Sequence, residues 1–523
     1  MAARLAVLSV PQIRVPLLVT SGMLGAAAFP TTNWSLFAWV WLAPAFACAL
    51  TRPPRGALAD GWLAGTVFFL VLLRWLDHTF SYYSAIPWPV AWLFIAALAG
   101  YCGLYVGGVA AGVARLRLRW GAGWALTALP VLWVAGEWMR GRLLGGFPWG
   151  LLGYSQHGDL AVIQIAELTG VYGVSFLVVA VNAAVAGTVA LRWRALPGVV
   201  AVLMLLSGTL LFGVFSLETE TPQPAEPTLI RVVAIQPSIE QSLKWDRTRR
   251  EETLAVLERL TRQAGQSRPA LIVWPETAVP APLPADPDVL ARVRALSREV
   301  ATALLVGSLD RAASPPWQPL NSAFLIEAEG IRAKYDKIRL VPFGERDPLL
   351  GAAGLVRPWA EFISELAAGD VRTVFSLPGA AFGTAICYEG IFPELVREFV
   401  AGGAGFMVNI SNDAWFGRTS GPWQHLAMLP LRAVENRVAI ARAANTGISA
   451  FVDPTGRVIR TLPLFERGLL EGALPVRTRI TVYTRFGDWF AYACLGLSVA
   501  AVVHRVLAEV LEARSRDRPH VSR

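Results

Sequence analysis

The sequence predicts a helical membrane domain joined to an α/β domain that lies outside the membrane. Of its 523 residues, 54% are hydrophobic and only 16% are charged, a balance too apolar for a soluble protein. Long apolar runs fill most of residues 1–217, and a polar block follows at 218–487. Within that block, short β-rich runs alternate with helical segments, as expected of an α/β fold with covered sheets.

Eight apolar runs are candidates for helices that cross a bilayer, which takes roughly 20 predominantly apolar residues. They lie at about 14–31, 35–50, 59–77, 88–113, 123–139, 167–191, 196–217 and 488–510. Tryptophan marks several boundaries between apolar and polar segments, as in interfacial aromatic belts: Trp34, Trp88, Trp120 and Trp489.

These runs divide the chain into five parts. We expect seven transmembrane helices in residues 1–217, a linker at 218–228, an α/β domain at 229–487, an eighth transmembrane helix at 488–511 and a basic tail at 512–523. The linker is rich in Pro, Glu and Thr, which favours an irregular connection.

The distribution of arginine predicts the orientation. If the N-terminus is cytoplasmic, the other cytoplasmic segments all carry arginine: Arg52, Arg55, Arg115, Arg117, Arg119, Arg192, Arg194, Arg514, Arg516, Arg518 and Arg523. Of the opposite loops, only that at 140–166 carries any. This positive-inside pattern predicts cytoplasmic termini and an α/β domain outside the cytoplasm. If the cell is a Gram-negative bacterium, as the architecture suggests, the membrane is the inner membrane and the α/β domain is periplasmic. The pattern also largely explains the net charge of +9, so a nucleic-acid partner is not predicted.

The polar block contains six clear strand candidates and four helix candidates. The strand candidates are 229–237, 270–276, 303–309, 322–328, 380–389 and 405–411. The helix candidates are 247–264, 287–300, 391–401 and 423–441, the last interrupted by Pro430.

Reactive side chains follow three of the predicted strands, where α/β folds usually place their chemistry. Glu276 ends "LIVWPE", Cys387 ends "TAIC", and Lys337 and Glu345 lie in "YDKIRLVPFGE". Only three of the 47 basic residues are lysines, which favours a specific need for a compact ammonium at Lys337 over a solvated surface role.

Cys387 is the one cysteine of four outside the long apolar runs. With no partner thiol there, it is either a small buried hydrophobe or a chemical group. Outside the predicted spans, His157, His425 and His520 form no recognisable Cys/His signature, although His425 could be a base. No paired Cys/His spacing indicates a metal site, and neither a metal nor a cofactor is predicted.

Glu, Lys and Cys in this order resemble the nitrilase superfamily, and with flanking membrane spans the chain resembles its apolipoprotein N-acyltransferase branch. The resemblance covers essentially the whole chain and rests on these motifs: "SLKWD", "WPET", "YDKIRLVPFGE", "ICYE", "SNDAWFG" and, in the membrane half, "GEWMRGRLLGGFPWGLLGYSQ". It implies an αββα sandwich for the α/β domain. It also implies a Glu276–Lys337–Cys387 triad with Glu345, Tyr388 and Glu389 as auxiliary residues.

The resemblance further implies transfer of an acyl chain from a phospholipid to the N-terminal amine of a diacylglyceryl-cysteine lipoprotein, through a Cys387 thioester. Glu276 would act as general base and acid, and Lys337 would stabilise the oxyanion beside the N–H of Tyr388. The Lys337 ammonium should also depress the pKa of the Cys387 thiol. The expected partners are the two lipid substrates, and the expected state is a monomer.

Further candidates concern substrate access. Trp245, Asn412, Trp415 and Phe416 belong to two motifs whose aromatic rings could line an acyl-chain entrance or simply fill a core. In the membrane half, Glu137 could pair with Arg140 at i,i+3 or meet a lipid phosphate, and Arg74 with Asp77 is a similar case.

Two other functions fit parts of the sequence. A membrane-anchored amidase or nitrile hydrolase would use the same triad with water as acceptor, but it would not need eight spans. A transporter or assembly factor would carry a degenerate binding module, yet Glu276, Lys337 and Cys387 are all present.

Overall fold

The computed structural model describes residues 10–219, 228–244, 247–312, 317–342, 344–346, 365–477 and 479–516. Its helices are α1 (Pro11–Ala27), α2 (Ala43–Ala49), α3 (Pro54–Leu72), α4 (Leu76–Tyr83), α5 (Trp88–Arg140), α6 (Leu160–Ile163), α7 (Ala166–Thr169), α8 (Val171–Leu191), α9 (Leu196–Thr219), α10 (Gln241–Lys244), α11 (Arg250–Gly265), α12 (Pro287–Val300), α13 (Pro393–Ala401), α14 (Gly421–Ala427), α15 (Leu429–Asn436), α16 (Val482–Phe486) and α17 (Trp489–Arg516). Its strands are β1 (Leu229–Gln236), β2 (Leu271–Val273), β3 (Val279–Pro282), β4 (Ala303–Arg311), β5 (Pro319–Glu327), β6 (Gly330–Asp336), β7 (Val374–Leu377), β8 (Ala380–Ile386), β9 (Phe406–Ser411), β10 (Ile440–Ala444), β11 (Ser449–Val452), β12 (Val458–Leu462) and β13 (Gly468–Pro475).

Three helical stretches of the described residues are long and apolar enough to cross a membrane: Pro54–Leu72, Trp88–Arg140 and Val171–Thr219. Shorter apolar helices lie at Ser35–Ala49, Leu160–Thr169 and Trp489–His504. The predicted count of eight spans is therefore not confirmed. The two longest stretches, of 53 and 49 residues, each exceed twice the roughly 20 residues of one crossing.

Local breaks explain why hydropathy and helix length disagree. The candidate at 35–50 is a five-residue 3-10 turn followed by α2, because Pro44 occupies the first turn of α2 and cannot continue a preceding helix. In α5 the break is at Gly121, whose φ of 85° costs little without a Cβ atom. Apolar content alone does not reveal either break.

The second half of the chain is a four-layer sandwich of two sheets between helices. The first sheet has the order β13-β1-β2-β4-β5-β6, with β3 also paired to β4. The second has the order β12-β11-β10-β9-β8-β7. Parallel pairs β1/β2, β2/β4, β8/β9 and β9/β10 form the middle of the two sheets, which places the carboxyl ends of these strands together within each sheet.

Side chains alternate along β1 between two cores, as the two-residue period of a strand requires. Val233 and Ile235 pack with α11 and α12 on the outer face. Val232 and Ala234 belong to the core between the sheets. Both faces of the sheet are thus covered, in agreement with the predicted α/β class.

Most of the predicted elements appear with shifted ends. The helix predicted at 287–300 is α12, whereas that at 423–441 is divided into α14 and α15, with Pro430 in the first turn of α15. Strands β6 and β12 are largely exposed, so they lack the apolar pattern that would have predicted them.

Ion pairs join the helical half to the sandwich. Glu167 of α7 accepts hydrogen bonds from the buried Arg437 at 2.5 Å and from the exposed Arg479 at 2.7 Å. Arg142, just after α5 and partly exposed, donates to the buried Asp488 at 2.6 Å. Removing one partner of a buried pair such as Arg437–Glu167 typically costs about 3–5 kcal/mol, so these contacts favour one arrangement of the two halves.

Candidate active site

The side chains predicted to carry the chemistry lie where strands of both sheets end. Glu276 comes three residues after β2, and Lys337 follows β6 directly. Cys387 follows β8 and begins a 3-10 turn over Cys387–Ile391, here called the nucleophile turn. The site therefore lies at the seam between the two sheets.

Lys337 is held between two carboxylates. Its Nζ donates to Glu276 Oε1 at 3.2 Å and to Glu345 Oε1 at 2.7 Å. Asn321 Nδ2 donates to the same Glu276 oxygen at 2.8 Å, and the main-chain N–H of Val341 donates to Glu345 Oε2 at 2.9 Å. Lys337 is only 1% exposed, so these are strong charge-assisted contacts in a dry environment.

The electrostatics of this cluster favour its charged forms. Burial would raise the pKa of Glu276, but the Lys337 and Lys244 ammonium groups and the Asn321 hydrogen bond hold that pKa below its ordinary value. Burial would lower the pKa of Lys337, yet the carboxylates of Glu276 and Glu345 raise it well above its ordinary value. At neutral pH, Glu276 is therefore a carboxylate that can accept a proton.

Cys387 adopts a backbone conformation that non-glycine residues rarely use. Its φ is 53°, in the left-handed region that costs an L-residue about 1–3 kcal/mol. The residue is 7% exposed and lies close enough to Glu276 and Lys337 for both charges to act on its thiol. Such strain is typical of a side chain that must be presented at a fixed angle.

Lys337 lowers the pKa of the Cys387 thiol, as predicted, but the net shift of that pKa is upward. Burial raises the pKa of Cys387, the Glu276 charge raises it further, and the opposing attraction of Lys337 is smaller than these two effects together. The surroundings of Cys387 therefore favour the neutral thiol over the thiolate.

Glu389 fixes the nucleophile turn against the segment that carries Lys337. Its Oε1 accepts from the N–H groups of Ile338 and Arg339 at 2.7 and 3.0 Å and from the Tyr335 hydroxyl at 2.7 Å. Its Oε2 accepts from the N–H of Ile386 at 2.7 Å. Glu389 thus orients both halves of the site instead of facing the thiol. Tyr388 is buried, and its ring packs edge-to-face on Phe392.

Asn321 and Lys244 also belong to the cluster, although no role was predicted for either from the sequence. Lys244 Nζ donates to the main-chain oxygen of Glu276 at 3.0 Å. Burial lowers the pKa of Lys244 to about 8, against the attraction of Glu276 and Cys387. The scarcity of lysine in the chain was the feature of the sequence that could have indicated a specific role for Lys244. Asn321 carried no signal, because its contact with Glu276 forms only when β4 has paired with both β2 and β5 and the segment after β2 reaches β5.

Lys244→Met should move the acidic limb of the pH profile of kcat/KM to higher pH. The Lys244 charge helps to hold the pKa of Glu276 down, so removing it lets Glu276 become protonated at a higher pH. Lys334→Met is the matched control, since Lys334 is exposed and pairs with Asp310 and Asp336. An acidic limb that does not move in Lys244→Met would contradict this electrostatic role.

An aromatic 3-10 turn over Asp413–Phe416, here called the aromatic turn, contacts helix α4. Thr79 Oγ1 donates to the carbonyl of Trp415 at 2.9 Å, and the Trp415 ring lies 4.8 Å from that of Tyr83. The Phe416 ring packs on Trp75, with ring centroids 4.7 Å apart. Trp415 and Phe416 are half-buried, so they contact the membrane half while remaining partly accessible.

The other two residues predicted to line a substrate entrance are Asn412 and Trp245. Asn412 is buried and bridges Gln241 and Asn445 by hydrogen bonds of 2.7 and 3.0 Å, which is a structural contact. Trp245 lies outside the described residues.

The predicted i,i+3 bridges in the membrane half are wrong. Arg140 instead donates to the carbonyl groups of Phe147 and Trp149, both at 2.7 Å, and Glu137 accepts from the N–H of Leu152 at 2.7 Å. These side chains form hydrogen bonds with main-chain groups of the non-helical segment after α5. Asp77 accepts from Ser81 at 3.5 Å, while Arg74 lines an apolar groove.

His425 does not act as a base on the thiol in this arrangement. Its Nε2 lies 3.1 Å from the main-chain oxygen of Cys387, and a carbonyl oxygen can only accept, so Nε2 carries a proton. Within the described part of the chain, no group of three or more His, Cys, Asp or Glu side chains could hold a metal ion.

Comparisons with known proteins agree with this division into two halves. Residues 21–184 match the apolipoprotein N-acyltransferase N-terminal domain, and residues 230–482 match the carbon-nitrogen hydrolase family. The apolipoprotein N-acyltransferase of Geobacter metallireducens is 37% identical over 511 residues, covering 95% of this chain and 96% of its own. That of Rhodopseudomonas palustris is 32% identical over 495 residues, or 89% of each chain.

Among solved structures, an amidase from Nesterenkonia sp. is 21% identical, with a TM-score of 0.39, and covers 52% of this chain and 99% of its own. The near-full-length relatives and the two family matches show that the chain belongs to the apolipoprotein N-acyltransferase family of the nitrilase superfamily.

Proposed function

We propose that this protein transfers an acyl chain from a glycerophospholipid to the N-terminal α-amine of a diacylglyceryl-cysteine apolipoprotein. The observation that carries the proposal is the buried cluster in which Lys337 bridges Glu276 and Glu345 beside the strained Cys387. A carboxylate, an ammonium and a thiol are the groups needed for a covalent acyl transfer. The enzyme would act in a bacterial inner membrane with its sandwich domain in the periplasm.

In the first half-reaction, Cys387 Sγ attacks the ester carbonyl of the phospholipid while Glu276 takes the thiol proton. The negative charge that develops on the carbonyl oxygen lies near the Lys337 ammonium and the N–H of Tyr388. When the tetrahedral intermediate collapses, the C–O bond breaks and Glu276 returns the proton to the leaving lysophospholipid oxygen. The acyl chain remains as a thioester on Cys387.

In the second half-reaction, the neutral α-amine of the apolipoprotein attacks the thioester carbonyl. The C–N bond forms, the C–S bond breaks, and Glu276 passes the proton lost by nitrogen to the departing Cys387 sulfur. The product is an amide, which is more stable than the thioester. Glu345 keeps the Lys337 ammonium in place through both steps, since it accepts the shorter of the two Lys337 hydrogen bonds.

A surface groove supports a phospholipid as the acyl donor. It has a volume of about 580 Å³ and is lined by Leu70, Val71, Arg74, Pro89, Trp92, Leu93 and Ala96. Six of these seven side chains are apolar or aromatic, which suits an acyl chain, and the Arg74 guanidinium suits a lipid phosphate. The groove lies between the end of α3 and the start of α5.

Arg74→Ala should raise the KM for phospholipid about fivefold and leave kcat unchanged. A basic side chain near anionic lipid contributes about 1 kcal/mol, and its loss removes binding that the ground state and transition state share. Arg55→Ala is a suitable control, because Arg55 lies in the first turn of α3, about 28 Å from Arg74 at a rise of about 1.5 Å per residue. An equal rise in KM for both variants would argue against phosphate binding in the groove.

The overall proposal is tested by intact-mass spectrometry of the full chain with phospholipid vesicles. We expect a mass increase of one acyl chain that hydroxylamine removes and that a diacylglyceryl-cysteinyl peptide discharges, with the acyl group recovered on the peptide. Discharge by water at the same rate without the peptide would make the protein a lipid hydrolase instead. Absence of any adduct on folded protein would overturn the thioester mechanism.

A further inference from the structure

A buried polar network lies behind the nucleophile turn, on the main-chain side of Cys387. The Cys387 carbonyl oxygen is 3.1 Å from His425 Nε2 and 3.4 Å from Asn409 Nδ2. His425 is fully buried on α14, and Asn409 is buried in β9. Residues of two separate elements, α14 and β9, thus donate hydrogen bonds to the main-chain carbonyl of Cys387, the residue with the unusual φ.

Arg442 of β10 holds both of these donors. Its Nη1 donates to the Asn409 side-chain oxygen. Its Nη2 lies 3.1 Å from His425 Nδ1 and 2.6 Å from Asp413 Oδ2. A guanidinium can only donate, so His425 Nδ1 accepts from Arg442. Asp413 Oδ1 lies 3.2 Å from the same ring nitrogen and accepts from the Ser411 hydroxyl at 2.7 Å.

This arrangement assigns His425 as a neutral imidazole with its proton on Nε2. Burial and the Arg442 charge lower the pKa of His425, which agrees with an accepting Nδ1. The ring also packs against Trp149 and Phe416, each with its centroid 5.9 Å away. Each ring nitrogen therefore has a polar partner, and two aromatic rings pack against the imidazole, so these contacts together favour one orientation of the ring.

The network also reaches the aromatic turn. The Ser411 hydroxyl donates to Asp413, and Asp413 is the first residue of the aromatic turn. The main chain of Cys387 and the turn that contacts α4 are therefore anchored to one set of buried charges.

We propose that His425 is a positioning residue for the nucleophile. Its Nε2–H holds the Cys387 carbonyl so that the left-handed backbone persists and Sγ points toward Glu276, and Arg442 and Asp413 hold the ring for this purpose. The inference rests on the proposed role of Cys387 as nucleophile. It assigns His425 a hydrogen-bonding role in place of proton transfer.

The test compares three substitutions of His425 in the full chain. His425→Gln keeps a side-chain N–H near the position of Nε2 and should retain kcat within about fivefold. His425→Phe keeps the ring packing without a donor, and His425→Asn has an amide too short to reach the carbonyl. Each of these two should lower the rate of Cys387 acylation about 10- to 100-fold, as expected when a buried acceptor loses its donor, with an unchanged KM for phospholipid.

Each rate is measured as adduct formation per folded protein molecule. His504→Gln is the control, because His504 is an exposed histidine on α17. A purely structural role would reduce the folded fraction and leave the rate per folded molecule unchanged, which would overturn the proposal. A His425→Gln variant as inactive as Cys387→Ser would also overturn it, because that result indicates proton transfer by the ring. Failure of the wild-type chain to form the adduct would instead count against the proposed function.

Discussion

Cys387→Ser should abolish acyl-enzyme formation and reduce acyl transfer by about 10⁶-fold or to the assay floor. Removal of the nucleophile of a protease triad has an effect of this order. Here the serine hydroxyl would need an even stronger base than the thiol, whose own pKa burial and Glu276 already raise. Intact-mass spectrometry with phospholipid vesicles and an apolipoprotein peptide assay measure the two quantities.

Cys494→Ser provides the matched control for this prediction. All four cysteines are free and buried, so any general effect of replacing a buried thiol appears in both variants. Cys494 lies in α17, away from the nucleophile turn. A Cys387→Ser variant that still transfers acyl chains at a measurable rate would show that the acyl group passes directly between substrates.

Lys337→Met should lower kcat by at least about 10²–10³-fold, the usual effect of losing one oxyanion donor. It should also destabilise the fold by about 3–5 kcal/mol, because Glu276 and Glu345 would remain buried without their shared cation. Lys337→Arg should lose most of the activity as well, since a planar guanidinium does not fit a slot shaped by two carboxylates around one ammonium. Steady-state kinetics and thermal unfolding report the two effects separately.

A double variant distinguishes the two roles of Lys337. In Lys337→Met/Glu345→Leu one of the two buried charges is removed with the cation, so we expect part of the lost stability to return. Activity should stay at the level of the single variant, because no ammonium faces the oxyanion. Recovery of activity together with stability would mean that Lys337 serves the fold and not the transition state.

The positions of Glu276 and Cys387 could be predicted because each follows an apolar run that becomes a buried strand. Lys337 follows the largely exposed β6, and its signals were the scarcity of lysine and the motif around it. The three residues lie 61 and 50 positions apart along the chain, and the structure brings them to one seam because the strands that they follow end there. Local pattern and fold class were sufficient for that prediction. The catalytic roles assigned to these residues remain predictions.

The sign of the thiol pKa shift could not be predicted in the same way. The sequence displays the cation of Lys337 but not the depth of burial, and burial is the larger effect. Arg442 and Asn409 were missed for a related reason. Each lies inside a fully buried strand, and a polar residue within an apolar run has no visible partner until β9 and β10 are placed side by side.

The number of membrane crossings was the least predictable feature. Hydropathy measures apolar content, whereas the path of the helix depends on single residues such as Pro44 and Gly121. It also cannot distinguish apolar residues that face lipid from those that pack inside the helical half. Trp41 and Phe46 are buried within it, although they lie in a run that hydropathy alone assigns to a crossing.

The pairing of β1 with β13 determines where the two covalent connections to the membrane half leave the sandwich. The two strands form an antiparallel ladder of eight residue pairs, from Leu229 opposite Pro475 to Gln236 opposite Gly468. The two covalent connections from the sandwich to α9 and α17 therefore leave side by side. Lys337 follows β6 at the opposite edge of the same sheet, whereas its partner Glu276 follows β2, next to β1. The Lys337–Glu276 ion pair thus links the strands nearest the membrane connections to the far edge of the sheet.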